Sequence, residues 1–355
     1  MSDFTSLGAE AAEWTEYAKT WSPPVPPAGA TPQQIREGAN RNTAKLFDTV
    51  VGRPETGLVV TEHSVPVTES LTEHSEAGNV TIPVRVYRPE AATTRSSVLP
   101  VYLFFHGGGY FLGNLDTEDA NCRHLALQTG VAVVNVGYRH TPEHPFPAAA
   151  DDAWAAYRWV ATSAEAPQLG LDARRIVAGG ISAGATLAIS VALRANDKSD
   201  KNDKNDKKVA GLVLTVPATV HPDHFPAERI QGGAQNSSFV LNADAPFINA
   251  ARLSGLLNMY QPTPATHPSV SPLLLAQDDL KGLGPVAVHV AGRDPLRDEG
   301  LLFEENLRAA GVATTLYTYP GLPHAFMSHP KLASTAVWRQ RMWDDVKRIA
   351  GAEQS

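Results

Sequence analysis

Short apolar segments alternate with amphipathic segments along most of the chain after residue 57. Runs rich in aliphatic and aromatic residues predict strands, and apolar residues that recur every three or four positions predict helices. The predicted strands are Leu58–Thr61, Val80–Tyr87, Val101–Phe105, Val131–Val136, Ile176–Gly179, Gly211–Val216, Val286–Ala291 and Thr314–Tyr319. The predicted helices among them are Asp152–Thr162, Ala183–Arg194, Gly300–Ala310 and Val337–Ala350. Because apolar strands alternate with helices, we predict an α/β fold with a mainly parallel sheet covered by helices on both faces.

Residues 1–50 lack this alternation. They contain two helix-like stretches, Thr5–Thr20 and Thr31–Leu46, with a proline-rich link at residues 22–27 between them. Proline is poorly tolerated inside a helix, so the link separates two elements. We therefore expect residues 1–50 to form a small helical appendage packed on the main body.

Two later segments also interrupt the alternation. Residues 196–208 are a polar, low-complexity run of Asn, Asp, Lys and Ser, which we expect to form a solvated surface loop. Residues 217–261 have no strand pattern, and a helix is predicted near Ala245–Tyr260. We expect residues 217–261 to be inserted over one end of the sheet, which leaves residues 51–216 and 262–355 as the core.

The composition narrows the class of protein. The chain has 355 residues, of which 43% are hydrophobic and 19% charged, as in ordinary folded domains. Its 30 Lys and Arg residues against 37 Asp and Glu residues give a net charge of −7, so nucleic acid is not an expected partner. The single cysteine, Cys122, excludes an internal disulfide and a multi-cysteine metal site, and is predicted to be a small buried side chain.

The first residues do not resemble a secretory signal. Asp3, Glu10 and Glu13 stand where a basic start and an apolar stretch would be needed. No apolar run approaches the ~20 residues that span a bilayer. We therefore predict a cytoplasmic protein without a transmembrane segment.

The sequence Gly180-Ile181-Ser182-Ala183-Gly184 lies between a predicted apolar strand and a predicted alanine-rich helix. This is the context of a G-x-S-x-G nucleophile elbow, in which a tight turn presents the serine hydroxyl to a cleft. The glycines are needed because side chains there would collide with neighbouring backbone. A strand–helix junction made of small residues is the alternative interpretation, but the elbow predicts Ser182 as a nucleophile.

The sequence His106-Gly107-Gly108-Gly109 directly follows the predicted strand Val101–Phe105. Consecutive glycines let backbone N–H groups converge on one anion without obstruction by side chains. Together with the Ala183 amide at the start of the following helix, Gly107 and Gly108 are predicted to form an oxyanion hole. A plain glycine turn would have the same composition, but the HGGG sequence is typical of esterases that also carry the elbow.

A serine nucleophile needs a base that removes its proton and an acid that orients the base. In this architecture the acid and then the histidine follow the serine along the chain, each just beyond the end of a strand. Asp294 follows the strand Val286–Ala291, and His324 follows the strand Thr314–Tyr319. We therefore predict Asp294 as the acid and His324 as the base.

Three other residues compete for these roles. Asp298 and Glu299 are alternative acids, but both lie where the N-terminus of the next helix favours carboxylates. His329 is an alternative base, and it lies farther from its strand than His324 does.

Five segments together resemble the hormone-sensitive-lipase-like branch of the α/β-hydrolase carboxylesterases. They are HGGGYFLGN at 106–114, YRHTPEHPFPAAADD at 138–152, GISAG at 180–184, DPLRDEG at 294–300 and PGLPHAF at 320–326. The resemblance implies an α/β-hydrolase fold with an eight-stranded sheet, and a helical cap formed by residues 1–50 and 217–261. It also implies the triad Ser182, Asp294 and His324.

A cap of this kind implies an apolar cleft above the nucleophile. The candidate substrate-binding residues are Tyr110, Phe111, Leu256 and Phe326, for which core packing is the alternative. Glu143 and Asp151 belong to one of the resembling segments, and we expect them to support the site by packing and hydrogen bonding.

The sequence departs from the family pattern at two places near the predicted site. Ile181 stands where many members carry Asp or Thr, and His140-Thr141 stands where many carry Leu-Ala. Neither position belongs to the triad. We therefore expect the departures to affect substrate preference more than activity.

These observations lead to the hypothesis of a cofactor-free serine carboxylic ester hydrolase that acts on short to medium acyl esters of small molecules, as a monomer or homodimer. An amidase, lactonase or acyl transferase would use the same acyl-enzyme. A small-ligand receptor on this scaffold is the alternative from another class, but the hormone receptors that resemble this family lack a complete triad. The paired histidines His221 and His224, or His140 and His144, lack a third-ligand motif, so no metal is expected.

Overall fold

The computed structural model describes residues 1–22, 25–71, 80–90, 98–197 and 208–352. Eight strands of these residues form one sheet. They are β1 (Leu58–Val67), β2 (Val80–Pro89), β3 (Leu99–Phe105), β4 (Ala132–Val136), β5 (Leu171–Ile181), β6 (Gly211–Thr215), β7 (Val286–Arg293) and β8 (Thr314–Pro323). The low-complexity loop predicted at residues 196–208 lies for the most part outside the described residues.

The sheet is mainly parallel, as predicted. Its strand order is β1-β2-β4-β3-β5-β6-β7-β8, and only the pairings of β2 with β1 and with β4 are antiparallel. Strands β3, β4 and β6 are buried at every position. Strands buried on both faces require a helical layer on each side, which explains their continuous apolar sequence.

Helices pack on both faces of the sheet. The longer helices are α1 (Ala12–Ala18), α2 (Pro32–Val50), α3 (Asp119–Thr129), α4 (Ala148–Thr162), α5 (Ala183–Asn196), α6 (Ala250–Tyr260), α7 (Arg297–Ala309) and α8 (Ala333–Ile349). Single helical turns lie at Thr5–Gly8, Glu165–Gln168, Pro222–His224, Ala227–Arg229, Gly233–Asn236, Ser238–Leu241, Pro272–Leu274, Gln277–Leu280 and Phe326–Ser328. Helices α4, α5 and α7 contribute to one apolar core, and α3 and α8 contribute to the core on the opposite face.

The N-terminal elements differ from the prediction in one respect. The helix predicted at Thr5–Thr20 is interrupted, with a single turn at Thr5–Gly8 and α1 beginning only at Ala12. The amide of Ala11 donates a 3.2 Å hydrogen bond to the carbonyl oxygen of Gly321 instead of to a preceding turn. A tertiary contact therefore replaces local helix formation at this point.

Helix α3 was not predicted from the hydrophobic pattern. Most of its residues are buried, including the ion pair of Arg123 with Asp119 at 2.7 Å, so charged positions do not mark a solvent face. Cys122 on the same helix is 3% exposed, which confirms its predicted burial.

The order of the strands determines where the candidate catalytic residues meet. The loops that follow β3, β5, β7 and β8 all leave the same edge of the sheet, because these strands run parallel. Ligand sites of open α/β sheets lie beyond the carboxyl ends of their strands. The fold therefore brings together segments that are distant in sequence.

Candidate active site

Ser182 occupies a tight turn between β5 and α5. Its backbone has φ 55° and ψ −121°, a sparsely populated conformation for a residue with a side chain. The turn is held by a 2.8 Å hydrogen bond from the Ser182 amide to the carbonyl oxygen of Thr215. A Cβ on Gly184 would collide with the carbonyl oxygens of Phe105 and His106, so only glycine fits beside the serine.

Ser182, His324 and Asp294 form a continuous line of hydrogen bonds. The Nε2 atom of His324 lies 2.8 Å from the Oγ atom of Ser182, and its Nδ1 atom lies 2.7 Å from Oδ2 of Asp294. A carboxylate only accepts hydrogen bonds, so the imidazole proton lies on Nδ1 and leaves Nε2 free to accept the serine proton. All three side chains are buried.

Asp294 accepts two further hydrogen bonds, one at its carboxylate and one at its backbone carbonyl group. Its Oδ1 atom accepts a 2.9 Å hydrogen bond from the Leu296 amide, and its carbonyl oxygen accepts one of 3.0 Å from the side chain of Asn242. Because one carboxylate oxygen is engaged by Leu296, the other is directed at His324.

The competing acids are engaged elsewhere. Asp298 accepts hydrogen bonds from the Ser238 amide at 2.6 Å and from Nε of Arg297 at 2.7 Å. Glu299 accepts a 2.6 Å hydrogen bond from the Thr219 amide, and burial raises its pKa well above the ordinary value. Neither carboxylate contacts His324.

The competing base, His329, lies in an aromatic cluster with Trp14, Trp21 and Phe247. Its Nδ1 atom lies 2.9 Å from the Tyr17 hydroxyl, and burial lowers its pKa to about 4. His329 is therefore a packing residue that connects the N-terminal segment to the body of the protein.

The glycines after β3 lie against the elbow. A Cβ on Gly107 would approach the carbonyl oxygen of Ile181 to 3.1 Å. Gly108 has φ 124°, and a Cβ there would collide with the backbone of Leu112. Within the described residues, the amides of Gly107, Gly108 and Ala183 donate to no protein acceptor. Three unpaired donors next to a serine hydroxyl are suited to bind an anionic oxygen.

Comparison with known proteins gives the family. The family model for the α/β-hydrolase fold matches residues 102–328. Esterase LipI of Mycobacterium tuberculosis is 35% identical over 256 residues, which are 72% of this chain and 74% of that protein. The chain belongs to the hormone-sensitive-lipase-like carboxylesterases of the α/β-hydrolase fold.

Solved structures of other proteins share the fold of this hydrolase. The thermophilic carboxylesterase EstE1, cloned from a metagenomic library, matches with a TM-score of 0.75 and 29% identity over 90% of this chain and 98% of its own. Vibralactone cyclase matches with a TM-score of 0.84 and 25% identity over 98% of this chain and 97% of its own. The predicted fold and enzyme class of the hydrolase are confirmed.

Three of the four candidate substrate-binding residues of the hydrolase lie together. Phe111 and Leu256 pack in one apolar cluster with Leu253, and Leu256 overlies the glycine loop, where a Cβ on Gly109 would approach its Cδ1 atom to 2.6 Å. Tyr110 stacks on Tyr260 of α6 with 3.7 Å between ring centroids. Burial raises the pKa of Tyr110 to about 12, so its hydroxyl stays protonated.

Phe326 is not part of this group. It is fully buried in the core with α8, and its ring lies 4.8 Å from that of Tyr319. Phe326 begins the single helical turn Phe326–Ser328, two residues after His324. The structure places this candidate in the core.

A small cavity borders the site of the hydrolase. It has a volume of about 30 Å³, and its lining includes Tyr110, Leu253, Leu257, Tyr260 and Leu296. Leu296 is two residues from Asp294 and Tyr110 directly follows the glycines, but Ser182, His324 and Asp294 are not among the residues that line the cavity. Its volume is far below the ~300–1,000 Å³ of typical ligand pockets.

Helix α2 contacts the glycine loop through two side chains that sequence analysis did not single out. Arg36 donates hydrogen bonds of 2.8 Å to the carbonyl oxygens of Phe111 and Thr141. One turn later, the Asn40 side chain forms two 2.9 Å hydrogen bonds with the backbone of Gly113. No sequence motif marks Arg36 or Asn40, because their partners in this loop are backbone groups.

The N-terminal segment also contacts both loops that carry the acid and the base. Glu10 forms an ion pair with Arg293, the residue before Asp294. The Ala11 amide binds the carbonyl oxygen of Gly321, three residues before His324. Glu13 accepts hydrogen bonds from the backbone and side chain of Ser334.

The expected supporting residues form hydrogen bonds as predicted. Glu143 pairs with Arg36 at 2.5 Å, and Asp151 accepts hydrogen bonds of 2.7 Å from Ser70 and from the Leu71 amide. Neither carboxylate contacts the triad.

In the part of the chain that the structure describes, none of the helices combines the length and apolar character needed to cross a bilayer. No group of three or more His, Cys, Asp or Glu side chains there has the arrangement of a metal site.

Proposed function

We propose that this hydrolase is a serine carboxylic ester hydrolase in which Ser182 is the nucleophile, His324 the base and Asp294 the residue that orients it. The observation that carries the proposal is the line of hydrogen bonds from Ser182 through His324 to Asp294, with distances of 2.8 and 2.7 Å. The unpaired amides of Gly107, Gly108 and Ala183 support it, because ester hydrolysis develops negative charge on the carbonyl oxygen.

The proposed reaction has two stages. Ser182 attacks the acyl carbon while His324 takes the hydroxyl proton, and the three amides stabilise the oxyanion. His324 then gives the proton to the departing alcohol as the C–O bond breaks, which leaves the acyl group on Ser182. In the second stage water attacks, its proton passes to His324 and then to Ser182, and the carboxylic acid leaves. These steps need no cofactor.

We further propose that residues 1–50 and 217–261 form a cap that limits the acyl group to a short chain. The cavity of about 30 Å³ supports this, because it is walled by Leu253, Leu257 and Tyr260 of α6. Each further methylene of a longer acyl chain would need space that this cavity lacks.

We retain the cytoplasmic location of the protein as a prediction.

The proposal is tested by hydrolysis of p-nitrophenyl acetate, butyrate, hexanoate and octanoate. We expect kcat/KM to be greatest for acetate or butyrate, and Ser182→Ala to lose several orders of magnitude in turnover. Ser190→Ala is the matched control, because Ser190 is a buried serine of α5, the helix that begins directly after Ser182, and its Oγ atom pairs with Ser269 at 2.7 Å. Equal activity of Ser182→Ala and Ser190→Ala would refute the proposal.

Acyl transfer to a hydroxyl group of the substrate itself is a second candidate. The observation that favours it is the TM-score of 0.84 with vibralactone cyclase, against 0.75 with the carboxylesterase EstE1. Both reactions share the acyl-enzyme and differ only in whether water or a substrate hydroxyl attacks it. Hydroxy esters turned over in ¹⁸O-labelled water distinguish them, because hydrolysis incorporates the label into the acid and internal transfer gives an unlabelled lactone.

A further inference from the structure

The loop after β3 has side-chain hydrogen bonds to two consecutive backbone carbonyl groups. The hydroxyl of Tyr138 donates to the carbonyl oxygen of His106 at 2.8 Å. The ring of His106 donates from Nδ1 to the carbonyl oxygen of Gly107 at 2.9 Å. The two peptide units that are held in this way contain the amides of Gly107 and Gly108.

A trans peptide unit is planar, and its C=O and N–H groups point in opposite directions. Both peptide units are trans. The hydrogen bond from Tyr138 to the His106 carbonyl therefore also determines the direction of the Gly107 N–H group. In the same way, the hydrogen bond from His106 to the Gly107 carbonyl determines the direction of the Gly108 N–H group.

The loop needs such anchors because of its composition. Gly107, Gly108 and Gly109 have no Cβ, so steric exclusion restricts their peptide planes less than those of other residues. Amides that are directed at an anion before the reaction starts stabilise the transition state without reorganisation. A hydrogen bond that fixes the plane of one of these peptides therefore acts on catalysis through the backbone.

Tyr138 itself has little freedom. It is 1% exposed, and its ring stacks on that of His106 with 4.2 Å between centroids and an interplanar angle of 18°. Burial raises the pKa of its hydroxyl well above the ordinary value, so the hydroxyl keeps the proton that it donates. The His106 ring is also buried, and burial lowers its pKa to about 4, so it remains neutral and donates only from Nδ1.

We propose that Tyr138 is a positioning residue whose hydroxyl, through the His106 carbonyl, directs the Gly107 amide at the developing oxyanion. The inference rests on the proposed function, since it assigns a role to an amide of the proposed oxyanion hole. Tyr138 acts through the backbone and does not contact the substrate. Its ring supplies packing, whereas the hydroxyl supplies the orientation.

The test is Tyr138→Phe, which removes one hydroxyl and keeps the ring. We expect kcat for p-nitrophenyl acetate to fall about 10- to 100-fold, because a small misplacement of a catalytic group has an effect of this size, while KM changes less than about threefold. An aryl trifluoromethyl ketone, which adds to Ser182 to give a tetrahedral oxyanion, is expected to lose affinity by the same factor as kcat/KM. End-point labelling with a fluorophosphonate counts competent sites, so that kcat refers to folded protein.

Tyr102→Phe is the matched control. Tyr102 is a tyrosine of β3 that is also 1% exposed, and it lies in the core on the opposite face of the sheet from Tyr138. We expect its kcat and ketone affinity to equal those of the wild type. A thermal unfolding curve for each variant separates loss of stability from loss of turnover.

Three results for Tyr138→Phe would each overturn the inference. The first is a kcat and a ketone affinity equal to those of the wild type. The second is a fall in kcat with unchanged ketone affinity, and the third is a change in KM alone. The proposed function is judged separately, because its failure would appear in the wild type as hydrolysis that does not depend on Ser182.

Discussion

The side-chain amide of Asn40 pairs with the backbone of Gly113 through two hydrogen bonds of 2.9 Å, one in each direction. Asn40 is only 8% exposed, and Gly113 has φ 97°, which favours glycine. Arg36, one turn earlier in α2, holds the carbonyl oxygen of Phe111. Helix α2 therefore forms hydrogen bonds with the loop that carries Gly107 and Gly108, in addition to contributing to the proposed cap.

Replacement of Asn40 by alanine is expected to reduce both stability and turnover. Asn40→Ala leaves the buried N–H and C=O groups of Gly113 without partners, which costs about 1–3 kcal/mol for each unsatisfied group. The freed loop is expected to lower kcat for p-nitrophenyl acetate about tenfold or more. Denaturant unfolding and steady-state kinetics measure the two effects. Arg41→Ala is the control, because the Arg41 side chain is 74% exposed, and it should leave both quantities unchanged.

Replacement of the two competing aspartates distinguishes the acid of the triad. Asp294→Asn places an amide donor opposite Nδ1 of His324, which forces the ring proton onto Nε2, and kcat is expected to fall by up to about 10⁴-fold. Asp298→Asn instead weakens the buried ion pair with Arg297, so it is expected to lower the free energy of unfolding by about 3–5 kcal/mol and to leave kcat of the folded fraction near wild type. The opposite pattern of kcat values would assign the acid to Asp298.

The elbow is expected to tolerate no side chain at Gly184. In Gly184→Ala the new Cβ would collide with the carbonyl oxygens of Phe105 and His106, so we expect severe destabilisation and loss of turnover. Gly255→Ala is the matched substitution. Gly255 lies on an exposed position of α6 with open space around its Cα, so alanine should stabilise the protein by about 0.5–1 kcal/mol. Thermal unfolding of both variants checks the contrast.

The acyl-chain preference is expected to change when the cavity lined by Tyr110 and Leu257 is enlarged. Leu257→Ala removes part of the cavity wall and makes room for about two further methylenes, so the ratio of kcat/KM for hexanoate to that for acetate should rise about tenfold, since each buried methylene contributes ~0.8 kcal/mol. Leu274→Ala removes a leucine that is 41% exposed and does not line the cavity, and the ratio should stay constant. An unchanged ratio in Leu257→Ala would separate this cavity from the acyl site.

Glu118 is expected to make stability depend on pH. Burial raises its pKa from the ordinary 4.5 to about 7, although Asn121 donates a 2.8 Å hydrogen bond to it. The folded protein therefore holds a proton that the unfolded chain has lost, so the stabilising contribution is complete below pH 4.5 and is lost as the pH rises to about 7. Glu118→Gln stays neutral throughout. The difference in free energy of unfolding between wild type and Glu118→Gln should grow by up to about 3 kcal/mol across this range. A constant difference would contradict the prediction.

The sequence was sufficient to locate the triad candidates because each follows an apolar strand and lies next to residues with narrow conformational requirements. Ser182 is marked by the glycines around it, and His324 by the end of β8. For Phe326 the sequence left two interpretations open, a cleft residue or a core residue, and the structure places it in the core. The packing of its ring against Tyr319 depends on tertiary structure, which no periodic pattern in the sequence reveals.

The residues that hold the glycine loop could not be found in this way. Arg36, Asn40 and Tyr138 bind backbone carbonyl or amide groups of segments that are 32 to 105 residues away in sequence. A backbone group is the same for every residue type, so the partner leaves no mark on the sequence. Their identification depends on the positions of atoms, as does the interruption of the helix predicted at Thr5–Thr20.

The contacts of Glu10 and Ala11 with the loops around Asp294 and His324, and of Glu13 with α8, have a consequence for biosynthesis. The partners Glu13 and Ser334 are 321 residues apart, so the ribosome makes Glu13 long before it makes Ser334. The parallel strands β3 to β6 are complete long before this contact is possible. Asp294 and His324 also follow β6 in the chain, so the ribosome makes the nucleophile before the groups that activate it, and the contact of Glu13 with α8 forms only after both.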